Sequence, residues 1–249
     1  MTQRKVANPA NPVHPVAGVD GCRAGWVVVT NATADGRWRA SVEPDFPAVL
    51  AATAAAAIVG VDMPIGLPAA AVPGGRACDA EARTLVGRGR TSSIFSPPCR
   101  GVLAAPDYPT ALAINRASSP HGLGFSKQAW NIVARIREVD AAIDPALQRR
   151  VVEVHPELCF IAMNGGRPLA DGKKTPAGAT QRRRLLRAAG FRNLTTLLRA
   201  LPRALAAPDD ILDACAAAWT AARVAAGTAI RIPANPPRDP RGLAMEIWR

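Results

Sequence analysis

Apolar residues in the first quarter of the chain come in short runs, and only later at helical spacing. Val16-Ala17-Gly18-Val19-Asp20 is one run, and Gly25-Trp26-Val27-Val28-Val29-Thr30 follows a turn bearing Gly21 and Gly25. Short runs rich in β-branched residues and bounded by turn formers predict strands. Asp35-Gly36 is a strong hairpin signal and leads into a third strand over residues 37–42. Links this short predict an antiparallel meander. Residues 46–57 are rich in alanine and predict a helix. Its length suits a crossover that returns a fourth strand, residues 58–62, parallel to the first.

The alternation then lapses. From residue 64 to about 146 the pattern predicts a short helix over 76–86, a Ser/Pro loop over 90–98, and helices over 110–117 and 126–143. The last of these sets Trp130, Val133, Ile136 and Val139 on one face. This span reads as a helical insertion within a single domain running from residue 16 to 249, and the polar, Pro-rich residues 1–15 read as a disordered tail. A fifth strand is predicted at 150–154, interrupted by Glu153. A helix over 157–163, ending at Asn164-Gly165-Gly166, follows it. After a polar loop at 171–175 come two basic helices, over 180–189 and 194–206. The last main helix opens at Pro208-Asp209-Asp210, with Asp209 as its expected N-cap and Asp210 in a first turn that favours negative charge. The elements together predict an α/β fold: a mixed five-stranded sheet, meander plus parallel strands, flanked by helices.

Composition narrows the class. At 249 residues, 49% of them apolar, the chain can bury a full core. Its longest apolar run, residues 48–61, is too short to span a bilayer, and its start lacks the apolar segment of a signal peptide. Cys22, Cys78, Cys99, Cys159 and Cys215 are odd in number and scattered, which argues against a zinc site or disulfide framework and for a reducing cytoplasm. The net charge of +12 suits a polyanionic partner such as nucleic acid. Only four of the 31 basic residues are lysine, however, and arginine with abundant alanine and proline is also what a GC-rich genome produces. Trp26, Trp130, Trp219 and Trp248 read as core residues rather than base-stacking platforms.

Four carboxylates stand where a core element would not ask for one. Asp20 and Asp62 each end an apolar run, Glu153 interrupts the fifth strand, and Asp213 sits one turn into the last helix among Ala214, Ala216, Ala217 and Ala218. Asp210 shares its face with Asp213. Singly, each has an ordinary explanation as a turn, cap or solvated residue. Together they can converge at the C-terminal edge of the sheet, where α/β folds place their sites. Carboxylates so gathered repel by about 4 kcal/mol per pair at about 4 Å and an effective dielectric of about 20. A divalent cation removes that cost, and two ions about 3.5–4 Å apart form the clamp used for in-line phosphodiester displacement. Oxygen-only donors favour magnesium or manganese over zinc. The expectation is a two-metal site with Asp20, Asp62, Glu153 and Asp213 as ligands and Asp210 as a further catalytic carboxylate.

Several motifs are also familiar: Gly18-Val19-Asp20-Gly21-Cys22-Arg23-Ala24-Gly25-Trp26, Val61-Asp62-Met63-Pro64-Ile65-Gly66-Leu67-Pro68, Ser126-Lys127-Gln128-Ala129-Trp130, Glu153-Val154-His155-Pro156-Glu157, Lys173-Lys174-Thr175 and Leu212-Asp213-Ala214. With them, nearly the whole chain resembles the family called domain of unknown function 429, predicted RNase H-like nucleases. The resemblance implies an RNase H-like fold, with Asp20 as the first-strand acid, Asp62 as the fourth-strand acid, and Asp210 and Asp213 as a resolvase-like helical pair. It implies a hydrolase that cuts DNA or RNA, and a homodimer is an open expectation because resolvase-like enzymes are often dimers. Arg23, Lys127, Lys173 and Lys174 would contact phosphates. His155 would serve as base or ligand, or would simply close the strand before Pro156. Two other readings keep the fold: phosphoryl transfer as in actin-like ATPases and sugar kinases, and a catalytically silent nucleic-acid binder.

Overall fold

The computed structural model describes residues 14–87 and 89–249, so the tail expected over 1–15 lies outside the described residues as far as residue 13. Strands β1 (Val16–Cys22), β2 (Gly25–Thr30) and β3 (Arg39–Glu43) form the meander, with antiparallel registers running from Ala17↔Thr30 to Cys22↔Gly25 and from Trp26↔Glu43 to Thr30↔Arg39. Gly25 turns with φ 145°, and a Cβ there would stand 2.0 Å from the Glu43 carbonyl oxygen. Only glycine fits that bend. Helix α1 (Phe46–Ala52) is capped by Asp45, which accepts the Ala48 N–H at 2.8 Å. It is shorter than the expected 46–57, because Thr53 bonds back to the Val49 carbonyl and Ala57 already donates to the Pro15 carbonyl. That bond begins the pairing of β4 (Ile58–Val61), parallel to β1 from Val16↔Ile58 to Val19↔Val61.

Helices α2 (Ala77–Val86), α3 (Tyr108–Ala117), α4 (Lys127–Asn131) and α5 (Val133–Ala142) precede β5 (Val151–Glu153). The single helix expected over 126–143 is thus two, parted at Ile132, whose ψ of 0° breaks the regular turn. Helix α6 (Pro156–Met163) leads to α7 (Pro176–Ala188), which starts four residues earlier than expected because Thr175 caps it through the Gly178 N–H. Helix α8 (Leu194–Ala200) ends well short of residue 206: Leu201 is extended before Pro202, as residues ahead of proline are. Helix α9 (Pro208–Ala225) has Ala207, not Asp209, at its N-cap. Pro208 takes the first helical position, where a missing N–H costs nothing. A ribbon of β6 (Arg231–Ile232) and β7 (Ile247–Trp248) near the C-terminus was not anticipated, its strands being two residues each.

The sheet order is β3-β2-β1-β4-β5, mixed parallel and antiparallel and flanked by helices, which is the expected α/β class and consistent with an RNase H-like fold. The chain divides into two units. One holds the residues up to Asp62 with Val154–Ile230 and Arg249; the other holds Met63–Glu153 and Arg231–Trp248, and so contains the span read as an insertion. In the first unit α9 is the central helix, with Ile211 through Ala222 buried without interruption. Trp26 and Trp219 are core residues as expected, Trp26 edge-on to Phe46 at 5.3 Å, while Trp130 and Trp248 are half-buried. No disulfide forms and no helix is long and apolar enough to cross a membrane among the described residues.

Candidate active site

Two glycines seat the site. In the parallel pair β1–β4, Gly18 lies opposite Gly60. A Cβ on Gly18 would stand 2.1 Å from the Ala214 carbonyl oxygen and 2.1 Å from the Ala218 nitrogen, and one on Gly60 would stand 2.7 Å from the Ala217 carbonyl oxygen. The backbone of α9 therefore rests directly on the sheet. Strand side chains alternate faces, so two residues beyond each glycine the chain returns to the same face. Those residues are Asp20 and Asp62. The Asp62 N–H donates to the Val19 carbonyl at 2.9 Å, continuing the register that sets Asp62 beside Asp20. Asp213 precedes Ala214, the residue that meets Gly18, and so arrives from α9 at the same place.

The electrostatics follow from this crowding. Asp20 and Asp213 are buried and Asp62 is half-buried. Burial, then the charges of Asp62 and Asp213, hold Asp20 well above the usual carboxylate range. Burial pushes Asp62 up to about 7 against the pull of Lys173, with Glu157 adding to the rise. Burial pushes Asp213 up to about 6, again against Lys173. The Lys173 ammonium stands 2.8 Å from Asp213 Oδ2. Burial opposes its charge, yet Asp213, Asp20 and Asp62 together raise its pKa. Arg182 is buried and pairs with Glu157, so that pair is neutral in itself. One lysine thus faces three carboxylates.

The other expected site residues are placed differently. Glu153 belongs to the second unit, where Arg76 grips it with Nη1–Oε2 at 2.8 Å and Nη2–Oε1 at 2.6 Å and the Ile65 amide donates to it at 2.7 Å. Asp79 shares the same guanidinium at 2.8 Å, and burial pushes Glu153 up to about 7 in spite of it. The expectation that Glu153 ligates a metal is therefore corrected: its carboxylate is consumed in a buried ion pair that anchors the Pro64–Pro68 loop. Asp210 accepts the Ala207 N–H at 2.8 Å, closing the first turn of α9; it remains near enough to raise Asp20. His155 is the N-cap of α6, its Nδ1 accepting the Glu157 N–H at 3.3 Å, which is a strand-closing role. Lys127 lies in the second unit with its ammonium 4.7 Å above the Tyr108 ring. Arg23, in the β1–β2 turn, and Lys174, beside Lys173, are exposed.

Sequence reasoning missed Gly18, Gly60, Glu157 and Arg182. A signal existed for the first two: Gly-Val-Asp occurs at both strand ends, Gly18-Val19-Asp20 and Gly60-Val61-Asp62. Glu157 closed a recognised motif, but its nearness to Asp62 depends on where α6 docks. Nothing distinguished Arg182 from its neighbours Arg183 and Arg184.

A divalent cation is tested by the donors present. Three carboxylates, short of positive charge, suit a hard cation chemically. Their side chains as placed do not yet form a ligand set, since no group of three or more His, Cys, Asp or Glu is arranged to hold a metal among the described residues. Lys173 supplies the positive charge instead.

Fold and site together define an α/β protein with acidic side chains gathered at the ends of two parallel strands against one close-packed helix. The chain belongs to the family described as "Protein of unknown function (DUF429)", whose profile matches residues 18–238. No curated protein and no solved structure matches it.

Proposed function

We propose that the protein is a divalent-cation-dependent nuclease that hydrolyses phosphodiester bonds in DNA or RNA. The observation that carries this reading is the meeting of Asp20, Asp62 and Asp213 around the ammonium of Lys173, which pairs with Asp213. Magnesium or manganese, as one ion or two, would be held by those three carboxylates. When bound, such an ion neutralises charge on the phosphoryl oxygens and activates the attacking water. The chain's own groups then have separable roles. Asp20 from β1, Asp62 just after β4 and Asp213 from α9 would hold the ion. Lys173, with 41% of its side chain exposed, is placed to trade Asp213 for a phosphate oxygen. Arg23 and Lys174 supply exposed charge for the flanking backbone. The unbridged cysteines fit a cytoplasmic site of action.

The sugar-kinase-like alternative needs backbone donors for phosphate in the loop after Asp62. Here the Ile65 and Leu67 amides already donate to Glu153 and Asp239, at 2.7 and 3.0 Å. That weighs for hydrolysis. The test is cleavage of a panel of labelled single strands, duplexes, hybrids and junctions by purified protein with manganese. The expected result is nicking of at least one substrate and its loss in Asp20→Asn. An inert wild type, or an Asn variant that cleaves normally, would refute the reading.

A further inference from the structure

We propose that a groove between the β2–β3 hairpin and the start of α8 is a second binding site for the phosphodiester backbone of nucleic acid, outside the carboxylate cluster. The proposal rests on the nucleic-acid reading above and extends it to a distinct surface of the same unit. From residue 172 to residue 208 the chain carries two lysines and seven arginines and no acidic residue. This stretch comprises the Lys173 loop, α7, α8 and their links. Arg182 is turned inward to Glu157, but Arg192, in the link between α7 and α8, is exposed. Across from it the hairpin presents Arg37 and Arg39, whose side chains are 80% and 64% exposed. These three arginines, with Gly36, Gly190 and Asn193, are among the residues lining a groove of about 700 Å³.

The groove is built rather than incidental. Its two walls are tied together: the Trp38 and Phe191 rings stack 4.6 Å apart, and Asn193 Nδ2 donates to the Trp38 carbonyl at 2.8 Å. Gly36 and Gly190, at φ 64° and 101°, leave bare backbone on either wall. Asp35 bonds Arg39 at 2.9 Å and lies 4.0 Å from Arg37, so one carboxylate offsets three guanidinium groups. Guanidinium groups pair with phosphate oxygens in a planar, two-pronged fashion, and charges spread along both walls suit a chain of phosphates better than a single small anion. Spacing supports a polymer as well. The 13 residues of α7 separate the Lys173 loop from the groove. That is a helix about 20 Å long, or about six base steps of duplex at about 3.4 Å each. Only a nucleic acid longer than this would engage both ends at once.

The test compares the full-length wild type with Arg37→Ala/Arg39→Ala/Arg192→Ala. Binding of labelled 4-nucleotide and 30-base-pair DNA is followed by fluorescence anisotropy in EDTA, from 50 to 200 mM salt. The expected result for the triple variant is a loss of about tenfold or more in affinity for the long duplex, with the short strand unaffected. The slope of log affinity against log salt should fall by about 0.9 for each phosphate contact removed. The magnesium-induced thermal shift should stay as in the wild type, because none of the three arginines lies in the carboxylate cluster. Equal affinity and slope in variant and wild type overturn the groove while leaving the nuclease reading standing. A wild type that binds no nucleic acid, alone or with magnesium, overturns both. Unchanged nucleic-acid binding with loss of an acidic protein partner overturns the groove's assignment to nucleic acid.

Discussion

Asp20 takes the largest share of the site's repulsion, since burial and three neighbouring carboxylates, Asp62, Asp213 and Asp210, all act against its charge. Replacing it by asparagine keeps shape and removes one charge. In chelated protein near pH 8, Asp20→Asn should melt at or above the wild-type temperature while losing all cleavage, the pattern of a site that trades stability for activity. A clear fall in melting temperature would show that its charge is compensated instead. The same crowding sets a pH dependence. In the folded chain Asp62 keeps its proton up to about 7 and Asp213 up to about 6, against 3.8 for an ordinary aspartate. Between those values the folded state binds more protons than the unfolded state, so stability is lost as pH rises through that window. Denaturation midpoints in EDTA should therefore fall from pH 5 to pH 8, and magnesium should restore more at pH 8 than at pH 5. Glu153 is the contrasting residue. Glu153→Gln should lower the melting temperature, since it weakens the grip of Arg76, yet leave the magnesium-induced shift in place, whereas Asp213→Asn should abolish that shift. A lost shift in Glu153→Gln would return Glu153 to the ligand set.

At the scale of elements, the contact between α9 and the β1–β4 pair decides whether three acids become a site. Gly18→Ala would drive a methyl group to 2.1 Å from two backbone atoms of α9. Neither atom belongs to a flexible side chain, so the helix must move. Overpacking of this kind costs about 1–3 kcal/mol or more, which in a chain of this length lowers the melting temperature by at least several degrees. Gly60→Ala, facing one carbonyl at 2.7 Å, should cost less, and Gly172→Ala, with nothing within 4 Å, should be near neutral. Thermal melts of the three variants check that ranking. The second unit has its own buried device, one guanidinium serving Asp79 and Glu153 while also donating to the Ile65 and Gly66 carbonyls. Arg76→Leu would strand two buried carboxylates, and breaking a buried pair costs about 3–5 kcal/mol. A melting temperature close to wild type would mean that the two acids are neutral without it.

At the scale of the whole molecule, a cation that binds only the folded chain must raise its stability. At about 100 times its dissociation constant the gain is about 2.7 kcal/mol, or about 5–10 °C for a chain of this size. Calorimetry with millimolar magnesium or manganese against EDTA reads this directly, and no shift would remove the main support for a cation site. The overall charge of +12 is unevenly distributed: residues 172–208 carry two lysines and seven arginines and no acid, while three of the 19 acids, Asp20, Asp62 and Asp213, meet in the one cluster.

Much of this was determined by sequence alone. Strand periodicity is local, so the meander, the crossover and the parallel return of β4 were legible from runs of valine and isoleucine, as were the positions of Asp20 and Asp62 where those runs end. Helix ends were read less well, because each depends on a choice among neighbouring caps: Thr175 reaches the Gly178 amide, and Pro208 displaces the cap from Asp209 to Ala207. The membership of the site was decided by tertiary structure. Glu153 and Asp213 look alike in sequence, each an acid inside an apolar element. What separates them is a partner: Arg76, 77 residues before Glu153, and Lys173, 40 residues before Asp213, together with the two glycines that let α9 rest on the sheet. An acid's partner is chosen by where distant segments dock, and the local pattern around it carries no record of that.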